Sequence, residues 1–495
     1  MLIAHDLGTT GNKASLHDNS GRLLAAATVG YPTRYAADTA SEQEPHDWWR
    51  AVVSATRELL VTTGTSAAQV DGICVSGQMM GLVLLDAAGE PVRPAMIWSD
   101  QRASVEAATL ADSFGEAAAY RITGNRIAAP YTLPKLMWVR NNDPHAFERA
   151  TVLCVAKDYV NFRLTGRLAT DRSDASHTGA YDLATGAWSS ELLAAAGVDA
   201  ALWPEILDST DILGTLTATA ADELGLRPGT RVVTGGGDGP MAAVAAGCVT
   251  VDSPGYVCLG TSAWYACTTT QPVLDAEERS FNLCHVVPGL FTPTATTQTG
   301  AGSVQWAAEA LAEAPGEVGK LIAEASSALA ADEDLYFLPY LIGERSPWWD
   351  PQASGTFVGL RMHHRRPNLT RAVLEGVGYS LALCMAPLRT TADAGIDVIG
   401  GGAVSDIWLA LLADIWGVPV RRRSVTNQAN SLGAAVTGLV GLGEADFSIA
   451  PTLSSVEAEF VPGPGSATHA RHLARFADAY RALSGWFAAA GSTTA

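Results

Sequence analysis

The segment Leu2-Ile3-Ala4-His5-Asp6-Leu7-Gly8-Thr9-Thr10 returns past the middle of the chain as Gly255-Tyr256-Val257-Cys258-Leu259-Gly260-Thr261-Ser262. Each copy is a short apolar run that ends in Leu-Gly-Thr and a second hydroxyl residue. The run has the composition of a strand, and Gly with Thr suits the turn of a hairpin. The first turn leads back into a second strand, Lys13-Ala14-Ser15-Leu16-His17. A single copy is adequately explained as a plain turn. Two copies, one per half, predict two related domains that face each other across a shared ligand. At 495 residues the chain is too long for one ordinary core, which agrees with that division. Such turns offer free backbone N–H groups and hydroxyls, the donors that a phosphate chain needs. The copies differ at one position. Asp6, placed to hold a magnesium ion through water, is replaced by Cys258 in the second copy.

Between the copies, Arg231-Val232-Val233-Thr234-Gly235-Gly236-Gly237-Asp238-Gly239-Pro240 runs a β-branched strand into three glycines and one carboxylate. It then enters the alanine-rich stretch Met241 to Ala246. Alanine is a good helix interior, and a proline in the first turn gives up an N–H that would be unpaired there. Asp238 therefore stands on a strand-to-helix turn, stripped of neighbouring side chains. Two readings stay open: a base that accepts the proton of a bound hydroxyl, or a helix N-cap. A third also fits literally, since Gly237 to Ala242 matches G-x-G-x-x-[GA] with Asp252 downstream as a ribose ligand. A dinucleotide site gives no reason for the paired hairpins.

Elsewhere, Ser41 to Leu60 reads as a helix with Pro45 early and Trp48, Val52, Ala55 and Leu59 on one face. Val70 to Val75 is a strand leading to Ser76-Gly77-Gln78-Met79-Met80-Gly81. Val83 to Asp86 and Ala95 to Asp100 read as further strands. Trp98 beside Asp100 and Arg102 is an arrangement that holds a small polyhydroxyl ligand, although Trp98 is equally suited to a core. Tyr131 to Trp138 opens an amphipathic helix, and Lys157 to Val160 begins another. Ala184 to Leu226 carries no readable chemistry. In the second half, Gly300-Ala301-Gly302 enters a helix as a wall for a nucleotide, and Gly343 to Trp349 forms a polar, aromatic loop. Val398 to Ala403 is again strand into three glycines, followed by Ser405-Asp406 at a helix start. A flat base can lie on such a backbone with Asp406 in reach; a structural turn is the alternative. The last fifty residues read as a covering helical segment.

A net charge of −19 speaks against nucleic acid as a partner. The one basic cluster, Arg421-Arg422-Arg423, reads as a solvated strand end. No apolar run is long enough to span a membrane, and the start lacks a basic signal-peptide region, so a soluble, cytoplasmic protein is expected. Seven cysteines scattered singly suit reduced core thiols. Gly319-Lys320 is followed by leucine, so there is no Walker A loop, and H-E-x-x-H is missing, which leaves neither a P-loop nucleotidase nor a zinc hydrolase.

Together these stretches resemble the FGGY family of carbohydrate kinases, in the superfamily shared by actin, heat-shock chaperones and sugar kinases, and within it most of all the xylulokinases. The resemblance runs from residue 2 to about residue 440. It is carried by Asp6 to Thr10, Gly77-Gln78-Met79, Ile97-Trp98, Thr123-Gly124-Asn125, Lys157-Asp158-Tyr159, Gly235 to Asp238 and Gly260-Thr261-Ser262. Its most specific part is Gly343-Glu344-Arg345-Ser346-Pro347 with Gly355 to Leu360 and Asn368-Leu369 to Leu374-Glu375. Gly400-Gly401-Gly402-Ala403 resembles the family's adenosine motif. The resemblance implies an α/β fold of two ribonuclease-H-like domains with a cleft between them. Residues 1–245 would bind the sugar and supply the first phosphate hairpin, 246–440 would bind the nucleotide, and 441–495 would pack on the second domain.

It also implies ATP and Mg²⁺, and a small sugar or polyol as the substrate. D-Xylulose, giving D-xylulose 5-phosphate, comes first, with another ketose, an alditol or a sugar acid as alternatives. Asp238 would be the base, and Asp6 with Asp238 would hold the metal through water. Gly8, Thr9, Thr10, Lys13, Gly260, Thr261 and Gly302 would cradle the phosphates, with Gly401, Gly402, Ala403 and Asp406 at the adenosine. Gln78, Met79, Met80, Trp98, Asp100 and Gly239 would line the sugar pocket beside Asp238. Two departures from the xylulokinase pattern stand out: Met79-Met80-Gly81 replaces Met-His-Gly, and Asp238-Gly239 replaces Asp-Asn. Both remove a polar group, which predicts a roomier pocket of broader or shifted specificity. An NAD(P)-dependent oxidoreductase and a non-catalytic nucleotide-binding protein are the readings from other classes, and a homodimer is left open.

Overall fold

In the computed structural model, which describes residues 1–36, 39–311, 318–326, 328, 334–389, 395–424 and 428–491, the first hairpin pairs β1 (Leu2–Leu7) with β2 (Gly11–His17). β3 (Leu23–Gly30) continues the antiparallel meander. Next comes α1 (Pro45–Thr63), started by a proline in its first turn and ended by Gly64 in the left-handed region. Its buried face carries Trp48, Val52, Ala55 and Leu59, as the spacing predicts. β4 (Gly72–Gly77) then runs parallel to β1.

The chain now leaves the sheet for a long excursion that includes α2 (Thr132–Asn142) and α3 (Ala156–Thr165) and buries its own apolar cluster. It returns through β5 (Ile212–Thr215) and β6 (Arg231–Gly237), and passes directly into α4 (Asp238–Ala245). The strand order is β5-β6-β4-β1-β2-β3.

The second half repeats the plan with β7 (Gly255–Leu259), β8 (Ala263–Ala266), β9 (Phe281–Cys284) and β10 (Phe291–Thr297). Helices α5 (Ala301–Leu311) and α6 (Arg366–Met385) precede β11 (Ile396–Ile399), α7 (Asp406–Trp416), β12 (Val420–Arg423) and α8 (Ala429–Gly441). β13 (Val456–Phe460) and α9 (Ser466–Gly491) end the described chain. Here the order is β9-β10-β8-β7-β11-β12-β13. The run β10-β8-β7-β11-β12 reproduces β3-β2-β1-β4-β6 strand for strand, with antiparallel pairs before the first strand and parallel pairs after it. These are two ribonuclease-H-like α/β domains.

The halves are joined by a core that belongs to both. Leu2, Ala4 and Cys74 of the first sheet pack with Met241 to Ala246 on α4, with Tyr256 and Ile399 of the second sheet, and with Ala434 to Val436 on α8. Helices α4 and α8 cross so closely that a Cβ on Gly433 would collide with the Met241 carbonyl. In the C-terminal segment, Phe476 and Tyr480 of α9 pack on Tyr340, and Tyr480 stacks on Trp348 at 4.2 Å between ring centres. Residues 492–495 of the expected covering segment lie outside the described residues.

Three local expectations change. Ser41–Gln43 is a strand paired with Ala95–Met96, so the helix begins only at Pro45. The strand expected over Ala95 to Asp100 is limited to its first two residues. The arginines 421–423 are no solvated end: they lie on β12, where Arg421 and Arg423 both pair with the fully buried Asp397. All seven cysteines are free thiols, and among the described residues no helix is long and apolar enough to cross a membrane.

Candidate active site

The turn that carries Asp238 is shaped by what lies under it. β6 slips register against β4 between Val233 and Gly236, and Gly235 takes φ +73°. A Cβ at Gly235 would collide with the Val75 carbonyl, so this bulge requires glycine. From below, Gly237 N donates to Ser173 Oγ at 2.9 Å, and Asn161 Nδ2 to the Thr234 carbonyl at 2.8 Å. From the second domain, Tyr256 donates its hydroxyl proton to the Gly239 carbonyl at 3.2 Å. Gly237, not Asp238, occupies the N-cap of α4, and no side chain caps that helix. The Asp238 carboxylate accepts one bond, from the neighbouring Gly239 N at 2.8 Å. The N-cap reading therefore does not describe it.

Two acids converge at this point. Burial, reinforced by the charge of Asp6, pushes the Asp238 carboxyl up to about 7. Burial likewise pushes Asp6 up to about 6, opposed by the Lys13 charge and by Asn430. Asn430, on α8, places its Nδ2 3.4 Å from each Asp6 oxygen. Neither acid forms an ion pair with a described residue. A carboxylate poised near neutral pH is suited to general-base work.

Asp238 opens into a cavity of about 190 Å³. Met79, Met80, Trp98 and Gly239, all expected at the sugar, line it with Asp238. Met80 holds φ +62°, a conformation that costs a non-glycine residue about 1–3 kcal/mol. Two expected residues are absent from the lining. Asp100 is fully buried, and its oxygens accept from Ser41 N at 2.9 Å and Arg102 Nη2 at 2.6 Å, so it fastens the wall from behind. Gln78 is buried too, donating to Gln43 Oε1 at 2.7 Å. In exchange the cavity gains His177, Phe281, Arg345 and Asn430. His177 stacks on Phe281 at 5.2 Å with Tyr131 edge-on, and its Nδ1 has no hydrogen-bond partner. Burial, helped by the charges of Arg345 and Lys135, lowers it to about 3, so the ring is neutral. The Arg345 guanidinium makes no ion pair with a described residue. The Gly343–Pro347 loop was legible in the sequence; the arginine's position in the cavity was not. Asn430 carried no local signal at all.

The second hairpin reaches this cavity with Ser262, and the first is tied to its wall. Trp98 Nε1 donates to Thr9 Oγ1 at 2.9 Å, which joins the cavity wall to the first hairpin. The Thr9 carbonyl is held by Gln43 and Thr33 at 2.6 and 3.1 Å, while Thr10 and Lys13 are exposed. On the second hairpin, Gly300 N and Gly302 N donate to the Thr261 carbonyl at 2.8 and 3.0 Å, and Ala301 N donates to Gly260 at 2.8 Å. Gly302, Gly260 and Thr261 thus form one backbone cluster. Gly402 lies against Leu259, Ala403 is buried, and Gly401 faces open space on its side-chain side. Asp406 is exposed, with Oδ1 2.6 Å from Arg422 Nη1.

The residues present fit a magnesium ion held through water. Among the described residues neither Asp6 nor Asp238 is ion-paired, and no group of three or more ligating side chains forms a closed cage. Mg²⁺ is commonly bound by one or two carboxylates with waters and phosphates completing its shell.

Comparison with known proteins gives a consistent result. The family model for the N-terminal domain of the FGGY family of carbohydrate kinases matches residues 1–245, and that for the C-terminal domain matches 255–442. A xylulose kinase of Klebsiella pneumoniae is 36% identical over 437 residues, which is 88% of this chain and 89% of the relative. The crystal structure of a ligand-bound xylulose kinase from Lactobacillus acidophilus superposes with a TM-score of 0.93 at 27% identity, covering 98% of this chain and 99% of that one. A gluconate kinase from the same organism superposes with a TM-score of 0.92, again at 27% identity and with the same coverage.

Proposed function

The chain belongs to the FGGY family of carbohydrate kinases, and we propose on that footing that it transfers the γ-phosphate of ATP to a hydroxyl of D-xylulose, giving D-xylulose 5-phosphate, in the cytoplasm. One observation carries the assignment of roles: a carboxylate held near neutral, Asp238, stands in a cavity whose wall is hydrogen-bonded through Trp98 to the first phosphate hairpin. Asp238 takes the hydroxyl proton as the sugar oxygen bonds to the γ-phosphorus and the bond from that phosphorus to the leaving ADP oxygen breaks. Gly8, Thr9, Thr10, Lys13, Gly260, Thr261 and Gly302 form the phosphate cradle, whose donors are the threonine hydroxyls, the Lys13 ammonium and the N–H groups that the turns leave free, since those of Gly8 and Gly302 are already bonded within the turns. Gly401, Gly402, Ala403 and Asp406 receive the adenosine, where the open side of Gly401 leaves room for a flat ring. Mg²⁺, held through water by Asp6 with Asp238, would offset the phosphate charge. Trp98, Met79 and Met80 orient the sugar, and closure of the two domains excludes the water that would otherwise take the phosphate.

A second reading is favoured by Arg345. A guanidinium in the cavity without an ionic partner among the described residues suits a carboxylate, which makes a sugar acid the alternative substrate. Both are tested by one coupled ADP-release assay over ketoses, aldoses, alditols and sugar acids at fixed Mg-ATP. The expected result is the highest kcat/KM with D-xylulose. A sugar acid above every neutral sugar replaces D-xylulose with the second reading, and no ADP release with any member overturns both.

A further inference from the structure

Lys135 has no exposed surface and, among the described residues, no carboxylate in ion-pair contact. Its ammonium donates to three backbone carbonyls: Met80 at 3.0 Å, Ile97 at 2.7 Å and Pro130 at 2.5 Å. Three donors meet three acceptors, which satisfies the group completely. The acceptors lie on three segments far apart in sequence. Met80 lines the cavity itself, Ile97 precedes Trp98, and Pro130 precedes Tyr131, which stands edge-on to His177. One turn back on the same face of α2, Thr132 Oγ1 donates to the Gly81 carbonyl at 3.1 Å. The loop that holds Met80 in its left-handed conformation is thus fixed by two donors from the start of α2.

We propose that Lys135 is the positioning residue of the sugar cavity, its ammonium setting the distances among the segments of Met80, Trp98 and Tyr131 without touching the sugar. A buried charge is a costly way to hold three strands of backbone together if packing alone were required. Burial pulls the ammonium down to about 7; Asp100 opposes that pull, while Arg345 and Arg102 add to it. What the cation supplies is directional: three bonds from one atom fix three carbonyls relative to each other, which an apolar side chain of the same length cannot do. The consequence for sugar binding rests on the kinase reading above; the clamp itself does not.

The test uses the full chain with Lys135→Met, which keeps the length of the stem, and Thr132→Val, which removes one hydroxyl. Hydrogen exchange followed by mass spectrometry reads the clamp directly. In Lys135→Met, peptides over residues 79–83, 97–101 and 128–132 are expected to exchange about tenfold faster, with residues 259–263 unchanged. Steady-state kinetics read the consequence: the sugar KM rises about 10–100-fold, with kcat and the ATP KM within about twofold. Thr132→Val shifts the same quantities by a smaller factor, and it decides the matter by the same two readouts if Lys135→Met does not fold. Unchanged exchange in all three segments overturns the clamp. Faster exchange with an unchanged sugar KM, or a sugar KM and an ATP KM that rise together, overturns its role in the cavity. A wild-type protein that phosphorylates no sugar would instead sink the assigned reaction, and the exchange result would still decide on Lys135.

Discussion

In the second domain, Asp397 on β11 is fully buried, with Arg421 Nε at 2.7 Å and Arg423 Nη2 at 2.5 Å on the adjacent strand β12. In the first domain, Asp6 near the end of β1 and Asp238 just past β6 have no arginine or lysine in contact. The two sheets match in five consecutive strands, so the difference lies in how each half treats a buried carboxylate. Neutralised by two guanidinium groups, Asp397 binds strand to strand. Buried without an ion-paired cation, Asp6 and Asp238 are pushed towards neutrality, to about 6 and about 7, with the more distant Lys13 charge opposing the shift at Asp6. The hairpins divide in the same way, since Cys258 stands where the first copy has Asp6. On the proposed roles, the bare carboxylates all lie in the first half, and the second hairpin offers only backbone N–H groups and hydroxyls.

The largest effect that sharpens this contrast comes from a matched pair of substitutions. Asp238→Asn is expected to lower kcat by about 10²–10⁴ with ATP binding retained, because the carboxylate is lost and the shape kept. Asp397→Asn is expected to leave the chemical step intact and to lower stability by about 3–5 kcal/mol, since two arginines are stripped of their partner. Single-turnover rates and urea unfolding read the two outcomes. A loss of kcat at Asp397 with none at Asp238 would break the contrast.

Next in size is the pair of hairpin residues. Asp6→Asn should weaken the apparent Mg²⁺ affinity in turnover by about 10–100-fold, and Cys258→Ser should leave it within about twofold. A magnesium titration of kcat compares them directly. Equal effects at the two positions would mean that the second hairpin also serves the metal.

The glycines are expected to separate scaffold from ligand in the same manner. Gly433, where α8 crosses α4, has no room for a methyl group against the Met241 carbonyl, so Gly433→Ala should cost about 1–3 kcal/mol of stability. Gly401 has open space on that side, so Gly401→Ala should stay within about 0.5 kcal/mol in stability and raise the ATP KM. Thermal unfolding with and without ATP distinguishes them.

Much of this was written locally in the chain. The paired hairpins, the glycine turn before Asp238 and the apolar face of α1 are short-range patterns, and composition with spacing is enough to read them. The arginines 421–423 were not legible, because a strand sequence tells which residues share a face but not that Asp397 lies opposite. Asp100 reads like a ligand and is bound to its neighbour Arg102. Asn430 meets Asp6 across 424 residues of sequence, and no local period announces such a contact. Lys135 was expected on an amphipathic helix, yet α2 is buried on almost every side at its start. In each case the missing information is the partner, which only the tertiary arrangement supplies.

The smallest expected effect concerns stability against pH, and its sign separates the two kinds of carboxylate. Asp238 moves from an ordinary value of 3.8 to about 7 on folding, so over that range the folded protein holds more protons than the unfolded chain. Stability from this group is therefore fully present below the ordinary value and is lost as pH rises through about 7. Asparagine carries no such penalty, so Asp238→Asn should melt close to wild type near pH 4 and a few degrees above it at pH 8. The gain is held to a few degrees because Asp238 is partly exposed, which screens its charge. Asp397→Asn should melt below wild type at pH 8, because there a satisfied pair is broken. If Asp238 is the base proposed above, it must be ionised to work, so kcat/KM is expected to climb over the range in which this group's contribution to stability is lost. If Asp238→Asn melted below wild type at pH 8, the carboxylate would have a cationic partner in solution, and the distinction between bare and neutralised acids would fail at the residue where it matters most.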